Sequence, residues 1–420
     1  MKKCIWVAAL AACVVAGEAR AGGFNVYEMG ARATALGGAF TATADDGSAL
    51  FYNPAGLAWL DEGWHTSVNV SFILPKSKYE RSPGVTGYPG ADTAETEDAV
   101  FTPGGIYASY HPSEEWAFGF GVFTPFGLGV EWADPDDFAG RPLATNSQIQ
   151  GIYMSPMVTW RPAPSFAVSA GGHAVVTHLT LERIVTGGTD LSQNLADFEL
   201  SGWSGVSFGP AFGVMVRPNE QFSLGLNFKG GVTNSFDDQD ADLAFRSADL
   251  GPDRALKVSG DLDYPSILSA GIRFMATEKL ALMFDFVWFD WSVFDVVELN
   301  FDDPSFDTVL EENYDDGEQW RFGVEYAWSD ATRLLGGFVY DQTPQPVESI
   351  SALLPDADRR DYSLGISHRG WGGEWTLAYM LVDFLERDTL INGVGQNPDG
   401  FDGAFRSIAH IPTVGFSRNF

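Results

Sequence analysis

The chain has 420 residues, of which 25 are basic and 56 are acidic, and its formal net charge is −31. Nucleic-acid binding is excluded, because it requires a basic surface that neutralises phosphates. Cys4 and Cys13 are the only cysteines, so from residue 14 onward the chain can form neither a disulfide nor a cysteine-ligated metal site.

The first 21 residues are predicted to be a secretory signal peptide. Two lysines near the start precede an apolar run at 5–17, and Ala19-Arg20-Ala21 is a small-residue cleavage site. The run is shorter than the roughly 20 residues that a membrane-spanning helix needs. Leu10-Ala11-Ala12-Cys13 resembles a lipoprotein cleavage box and is the alternative interpretation. Cleavage before Gly22 predicts a mature protein outside the cytoplasm.

Residues 22–63 follow neither a helical nor an alternating pattern. They are rich in Gly, Ala, Ser and Thr, which allow close approach to a neighbouring wall, and they also include several large apolar side chains. A disordered periplasmic leader is the alternative, but such a leader would be less apolar. We therefore predict a compact segment, and Pro54 biases Asn53 in Asn53-Pro54-Ala55 toward an extended conformation.

Apolar and polar residues alternate along much of the chain after residue 63. In residues 320–328, for example, Trp, Phe, Val, Tyr and Trp occupy every second position. This period predicts strands with one apolar and one polar face. Aromatic residues bracket the apolar faces, and charges such as Lys229 and Arg321 lie on the polar faces. Both features favour a membrane barrel with a wet lumen over a soluble sandwich, whose core would be dry.

Fourteen strands are predicted in residues 64–420, which form one domain. The strands start near Trp64, Val100, Glu115, Ser147, Ser165, Trp203, Gln221, Leu256, Lys279, Gln319, Thr332, Asp361, Glu374 and Phe405. Short connections alternate with long ones, as periplasmic turns alternate with extracellular loops in outer-membrane barrels. The predicted fold is all-β: a transmembrane antiparallel β-barrel of 14 strands, with residues 22–63 as a hatch that plugs the lumen.

Acidic residues cluster in the connections, for example at 237–253. Solvated loops explain this clustering. The alternating Asp238, Asp240 and Asp242 also suit a calcium loop, but Leu243 stands where that loop requires a glycine. We predict no metal site and no cofactor.

Five blocks of sequence resemble the FadL family of outer-membrane transporters of hydrophobic compounds. In chain order they are GFNVYEMGARATALGGAFTATADDGSALFYNPAGLA (23–58), GFGVFTPFGLGVEW (119–132), DFVWFDWSVF (285–294), DQTPQPVES (341–349) and LPDADRRDYSLGI (354–366), and the terminal Phe420 also fits. The resemblance implies a fourteen-stranded barrel with an amino-terminal hatch. It also implies uptake of long-chain fatty acids or of aromatic and aliphatic hydrocarbons without an energy source.

The resemblance further implies the route that the ligand takes through the barrel and the residues that bind or gate it. Ligand enters a groove between extracellular loops, reaches a lumen pocket lined by the mature amino terminus, and leaves sideways where the third strand is kinked. The Asn-Pro-Ala of the hatch is expected near that kink. The matching ligand-binding or gating residues are Phe24, Asn53, Pro54, Ala55, Pro125, Phe126, Gly127 and Gly129.

The chemistry of the third strand supports such an exit. Pro125 lacks an amide hydrogen, and Gly127 and Gly129 weaken strand pairing. The strand should therefore bend away from its neighbour and leave a gap, with Asn53-Pro54-Ala55 as the rigid contact point of the hatch. A side exit keeps an apolar ligand out of water, where exposure costs about 25 cal/mol per Å².

The lumen cations Lys229, Arg273 and Arg321 are interpreted as ion pairs between wall and hatch, or alternatively as clamps for a fatty-acid carboxylate. Two other function classes remain open. A general aqueous porin would need an unobstructed polar constriction. A lipid-hydrolysing enzyme would need a nucleophile, a base and an orienting group together. The strand histidines His173, His178 and His368 each have a serine nearby in sequence, but no such set can be recognised.

We expect a protein of the Gram-negative outer membrane that is not an enzyme. Its expected partners are a hydrophobic small-molecule substrate, outer-membrane lipids and lipopolysaccharide, and the barrel assembly machinery. No nucleic acid is expected, and the protein is expected to be a monomer.

Overall fold

The structure, a computed structural model, describes residues 22–83, 89–187 and 192–420. The predicted signal peptide lies outside the described residues. The chain forms a closed antiparallel barrel of fourteen strands, which confirms the predicted fold class. An amino-terminal segment, residues 22–62, precedes the first strand and is called the inner segment below.

Several strands are interrupted and are given by their pieces. They are β1 (Gly63–Ser71, Leu74–Arg81), β2 (Thr93–Glu95, Gly104–Ser113), β3 (Trp116–Glu131), β4 (Asn146–Ala163), β5 (Phe166–Thr186), β6 (Asn194–Trp203, Ser207–Val216), β7 (Phe222–Lys229, Val232–Phe245), β8 (Arg254–Tyr264, Ile267–Met275), β9 (Leu280–Phe289, Val296–Phe301), β10 (Thr308–Glu311, Gly317–Ala327), β11 (Thr332–Asp341), β12 (Arg359–Gly370), β13 (Gly373–Phe384, Arg387–Asp388) and β14 (Gly403–Asn419). Each strand pairs with the next, and β14 pairs with β1 to close the barrel.

The remaining elements are short. They are the helices α1 (Ala31–Ala35) and α2 (Ala49–Tyr52), the 3₁₀ turns Pro54–Trp59, Ala248–Leu250, Trp291–Val293, Pro304–Phe306 and Val347–Ser349, and a small hairpin of Leu390–Ile391 with Val394–Gly395. No helix in the described parts of the chain is long and apolar enough to cross a membrane.

Strand starts agree with the sequence within a few residues except where a strand has an outer piece that was not predicted: β2, β6 and β10 begin at Thr93, Asn194 and Thr308, and not near Val100, Trp203 and Gln319. The outer piece of β6 alternates too, but its exposed side carries Asp197 and Glu199. Because that face is charged, the apolar stripe that marks a membrane-facing strand is missing there.

The two faces of the wall reverse the pattern of a water-soluble protein. Ile106, Phe208 and Leu364 point outward and are 63%, 77% and 62% exposed, whereas Thr159 and Gln319 point inward and are fully buried. An apolar outer face over a polar lumen is the arrangement of an outer-membrane barrel.

The two ends of the barrel also differ. At one end the connections are tight, as between Ser113 and Trp116 or between Gly370 and Gly373, and β1 starts and β14 ends there. At the other end the connections are long, as between β11 and β12. By the rule for outer-membrane barrels, the short-turn end is periplasmic and the long-loop end is extracellular.

The inner segment contacts the wall around most of its circumference. Wall glycines leave room for it, because a methyl group at any of them would meet a residue of the segment; these glycines are Gly119, Gly225, Gly271, Gly323, Gly337, Gly365 and Gly415. They lie on seven different strands, from β3 to β14. The segment is therefore enclosed by the barrel.

Charged groups also tie the inner segment to the wall. Arg32 forms ion pairs with Asp45 of the segment and with Glu325 of β10. Asp285 of β9 accepts hydrogen bonds from the amides of Phe40 and Thr41, at 2.9 and 2.7 Å. These contacts are buried, so they fix the segment at one height in the barrel.

The predicted wall-to-hatch ion pairs were assigned to the wrong cations. Lys229 lies over the ring of Phe51 at 4.2 Å, and Arg321 lies over the ring of Tyr27 at 4.4 Å. Arg273 donates to the sulfur of Met275, and within the described residues none of the three forms a salt bridge. The reason is that the segment presents aromatic rings to two of these cations, where carboxylates were expected.

Candidate functional site

The wall opens beside β3. On the β4 side the pairing shifts between Phe123 and Phe126, which leaves Thr124 and Pro125 without a partner. On the β2 side the ladder ends where Gly105 faces Phe123. An isolated bridge between Thr96 and Trp132 restores contact further out. Between these points β2 and β3 separate, because Pro125 has no amide hydrogen to offer a neighbouring strand.

The start of the inner segment replaces the missing neighbour. The amide of Val26 donates to the carbonyl of Pro125 at 2.8 Å, and the amide of Gly127 donates to the carbonyl of Phe24 at 2.9 Å. The side-chain amide of Asn25 also donates to the Pro125 carbonyl, at 3.0 Å. The kinked strand is thus paired with a short piece of chain that belongs to no wall strand.

Two glycines shape the opening. A side chain at Gly129 would overlap the ring of Phe101, which lies across the gap from the β2 side. Phe101 is held there by two backbone hydrogen bonds to Ile73, at 2.8 and 3.0 Å. A methyl group at Gly127 would make only ordinary contacts, 3.6 Å from Val26 and from the carbonyl of Ile149. Sequence reasoning missed Phe101, and the absent side chain of Gly129 was the one signal for it.

A cavity of about 390 Å³ lies at this opening. Its lining combines the start of the inner segment with residues 100–103 and with β3 beyond the kink. Arg359 also lines it, but this guanidinium is held by Asp341 at 2.6 Å. The cation next to the opening is therefore already paired.

A second, smaller cavity of about 100 Å³ lies toward the long-loop end. Nine of its lining residues are leucines, including Leu128, Leu179 and Leu354. Phe24, Leu128, Ile149 and Leu354 line both cavities. The two cavities therefore meet at the first residues of the inner segment.

Phe24 sits at that junction within a group of aromatic rings. Its ring centroid is 4.8 Å from that of Trp291, 5.5 Å from Phe294 and 5.8 Å from Tyr264. Phe126 stacks on Tyr264 at 4.4 Å and completes the group. The side chain of Phe24 thus lies between the leucine-lined cavity and the cavity at the opening in the wall.

The smaller cavity carries acidic groups and no basic ones among the described residues that line it. Glu312 is only 9% exposed, and its side chain has no hydrogen-bond or ionic partner within the described parts of the chain. Burial raises the pKa of this carboxyl to about 7. Asp261 is the other acid in the lining.

Asn53-Pro54-Ala55 does not lie at the kink, so this expectation is wrong. The Asn53 amide donates to the carbonyls of Thr41 and Val214, at 2.9 and 3.0 Å. The Pro54 carbonyl accepts from Thr159, which faces Ala117 of β3. Ala117 is seven residues before Thr124, roughly 23 Å along a strand. The inner segment starts at the kink and runs back toward the short-turn end, where its motif fastens to the wall.

The structure therefore divides the candidate residues into two groups. It brings Phe24, Pro125, Phe126, Gly127 and Gly129 together at the opening. It places the Asn-Pro-Ala motif at the start of the Pro54–Trp59 turn, where the Asn53 side chain accepts from the amide of Ala55 at 3.2 Å. The motif acts there as a cap and an anchor.

One buried Ser–His pair bears on the alternative of a lipid-hydrolysing enzyme. Ser155 and the Nδ1 of His173 are 2.5 Å apart, but the Nε2 of His173 has no partner within the described chain. A nucleophile–base pair without an orienting group is not a catalytic triad.

Among the described residues no cluster of three or more His, Cys, Asp or Glu side chains could hold a metal. Asp240, one of the three aspartates that suit a calcium loop by spacing, is paired with Lys257.

Comparisons with known proteins agree with this architecture. The sequence pattern of the family described as outer membrane protein transport protein (OMPP1/FadL/TodX) matches residues 12–420. Outer membrane protein P1 of Haemophilus influenzae is 25% identical over 406 residues, covering 86% of this chain and 85% of the relative.

Two solved structures share the fold. A FadL homologue of Pseudomonas aeruginosa has a TM-score of 0.81 at 20% identity, covering 95% of this chain and 100% of that one. The toluene transporter TbuX of Ralstonia pickettii has a TM-score of 0.70 at 17% identity, covering 95% and 100%.

Proposed function

The chain belongs to the outer membrane protein transport protein family (OMPP1/FadL/TodX) and is an outer-membrane transporter of hydrophobic compounds, and we propose that its cargo leaves the barrel sideways through the gap beside β3. The separation of β2 from β3 at Pro125 is the observation that supports this route. The proposed cargo is a long-chain fatty acid or a hydrocarbon, moved down its own gradient.

The route follows from the order of the two cavities. Cargo reaches the leucine-lined cavity from the long-loop end, passes Phe24 into the larger cavity, and leaves between Phe101 and β3. Every stage offers apolar surface, and the last one opens toward the lipid-facing side of the wall. Direct passage into lipid avoids exposing the cargo to periplasmic water, at a cost of about 25 cal/mol per Å² of apolar surface.

We also propose that residues 27–62 act as a plug. The enclosed segment, its buried ion pair through Arg32 and its close contacts with wall glycines all support this role. A plugged lumen would not conduct sugars. A liposome-swelling assay with small sugars tests the point, since swelling at the rate of an open porin would contradict it.

A pair of substitutions at Gly127 tests the lateral route. Gly127→Trp should fill the gap and stop uptake of a hydrophobic substrate such as radiolabelled oleate or toluene. Gly127→Ala is the matched control, because its methyl group fits with 3.6 Å contacts and should leave uptake intact. Heat-modifiability on gels and surface labelling report the folded protein in each case.

One result would contradict the lateral route beside β3. If folded Gly127→Trp protein takes up substrate at the wild-type rate, the cargo does not pass this gap. The plug would then have to move to let cargo leave toward the periplasm. Growth of a deletion strain on a panel of hydrophobic carbon sources identifies the cargo independently of the exit.

A further inference from the structure

The smaller cavity contains a polar group that an apolar cargo cannot satisfy. Glu312 is nine-tenths buried, lines the cavity, and has no hydrogen-bond or ionic partner among the described residues. Nine of its neighbours in the lining are leucines. A buried acceptor without a donor is unfavourable by about 1–3 kcal/mol in proteins generally, so a ligand that brings a donor gains from this site.

The charge of the lining argues against an anionic ligand. Glu312 is the one buried charged residue among the described residues that line the smaller cavity, and the other charged residue of the lining, Asp261, is an exposed acid. The nearest lining cation of the larger cavity is Arg359, which is paired with Asp341 at 2.6 Å. A carboxylate ligand would meet like charge and no free cation, and like charges in a low-dielectric site repel strongly.

The size of the cavity argues for a compact ligand. Its volume is about 100 Å³, and an engineered apolar cavity of about 150 Å³ holds one benzene ring. A single ring therefore fits after a small movement of a lining side chain such as Phe24. A long chain would have to extend past Phe24 into the larger cavity.

We propose that the smaller cavity binds an uncharged, ring-sized ligand with a hydroxyl group, a phenol, whose hydroxyl donates to the carboxylate of Glu312 while its ring packs on the leucines. This rests on the proposed transport function and narrows its cargo. The carboxylate selects for a donor and against an acid, and the leucines favour an apolar ring.

Three ligands of one size test the proposal: phenol, toluene and benzoate, bound to the full-length protein in detergent at pH 8. Binding is measured by titration calorimetry on wild type, Glu312→Leu and Glu312→Gln. Glu311→Gln is the matched control, because Glu311 is the adjacent residue and is exposed.

Glu312→Leu should weaken phenol binding roughly tenfold, the usual scale for losing a hydrogen bond to a charged group, and should leave toluene binding unchanged. Glu312→Gln keeps an acceptor without the charge, so it should retain most phenol affinity and gain affinity for benzoate. The Glu311 variant should behave as wild type with all three ligands.

Three results would overturn the proposal. Wild type could bind benzoate as tightly as phenol, Glu312→Leu could leave phenol binding intact, or the same variant could weaken phenol and toluene equally, which indicates a purely structural role. If toluene still enters cells through the Gly127-dependent gap, only the phenol assignment fails. If none of the three ligands binds wild type, the phenol assignment fails as well, whereas the lateral route fails only if folded Gly127→Trp protein takes up oleate or toluene at the wild-type rate.

Discussion

Two parts of the inner segment are held by different kinds of contact. Residues 22–26 attach to the wall through hydrogen bonds to the kinked β3, a bond from the amide of Gly23 to Asp356, and the aromatic contacts of Phe24. Residues 27–62 are held by the ion pair between Arg32 and Glu325 of β10 and by backbone packed directly on wall glycines. The leading part, residues 22–26, can separate from β3 without breaking an ion pair, whereas the anchored part, residues 27–62, cannot leave the wall without breaking the pair between Arg32 and Glu325. The difference suggests that the first gates the opening and the second closes the lumen.

Removing the charge of Arg32, in the anchored part, should lower the stability of the folded barrel more than any other change considered below. Arg32→Met leaves the carboxylate of Glu325 buried without its main partner, and such a change typically costs about 3–5 kcal/mol. Heat-modifiability and urea unfolding of the refolded barrel measure the loss. Arg254→Met, which breaks an exposed pair with Asp303, should leave unfolding unchanged. Equal behaviour of the two variants would mean that the anchored part is held by packing alone.

A smaller loss is expected at the closest backbone contact of the anchored part. A methyl group at Gly337 would overlap the amide nitrogen of Gly37, so Gly337→Ala should cost about 1–3 kcal/mol through overpacking. Gly336→Ala is the matched control on the same strand, since its methyl group would lie 3.9 Å from the carbonyl of Ser363. The same unfolding assay compares them, and indistinguishable midpoints would show that the segment shifts to make room.

The smallest effect on folding, but a clear one on transport, is expected at the opening. Phe101→Ala removes the ring that lies over Gly129 and should raise the uptake rate while leaving heat-modifiability as in wild type. Val100→Ala changes the neighbouring residue, which is 57% exposed, and should leave uptake unchanged. A Phe101 variant with wild-type uptake would mean that the leading part of the inner segment alone controls the exit.

The sequence contained most of the fold because the wall follows a local rule. Alternation in every strand and the contrast of short and long connections are properties of neighbouring residues, and they predicted all fourteen strands. Pro125, Gly127 and Gly129 were found for the same reason, since a proline or a glycine alters strand pairing wherever it stands.

The rest depends on how distant parts of the chain meet. The path of the inner segment decides which residues reach the kink. The sequence around Asn53 does not indicate that its side chain contacts β6 and not β3. Phe101 and Glu312 lie in connections without periodicity, so the sequence contained no sign of Glu312, and its one sign of Phe101 was the missing side chain of Gly129. The partners of Lys229 and Arg321 were mispredicted for the same reason, because the rotation of the segment inside the barrel decides which of its side chains face these two cations.

The seam between β1 and β14 has a consequence for how the barrel assembles. The amide of Ala31 donates to the side chain of Asn69 on β1 at 2.9 Å, and Ala31 also lies against Gly415 on β14. The Glu28 carbonyl accepts from Ser71 of β1, which in turn bonds to Thr413 of β14. The inner segment thus bridges the two strands whose pairing closes the barrel. Its full set of contacts at this seam requires β1 and β14 to lie side by side, so the seating of the segment and the closure of the wall stabilise each other.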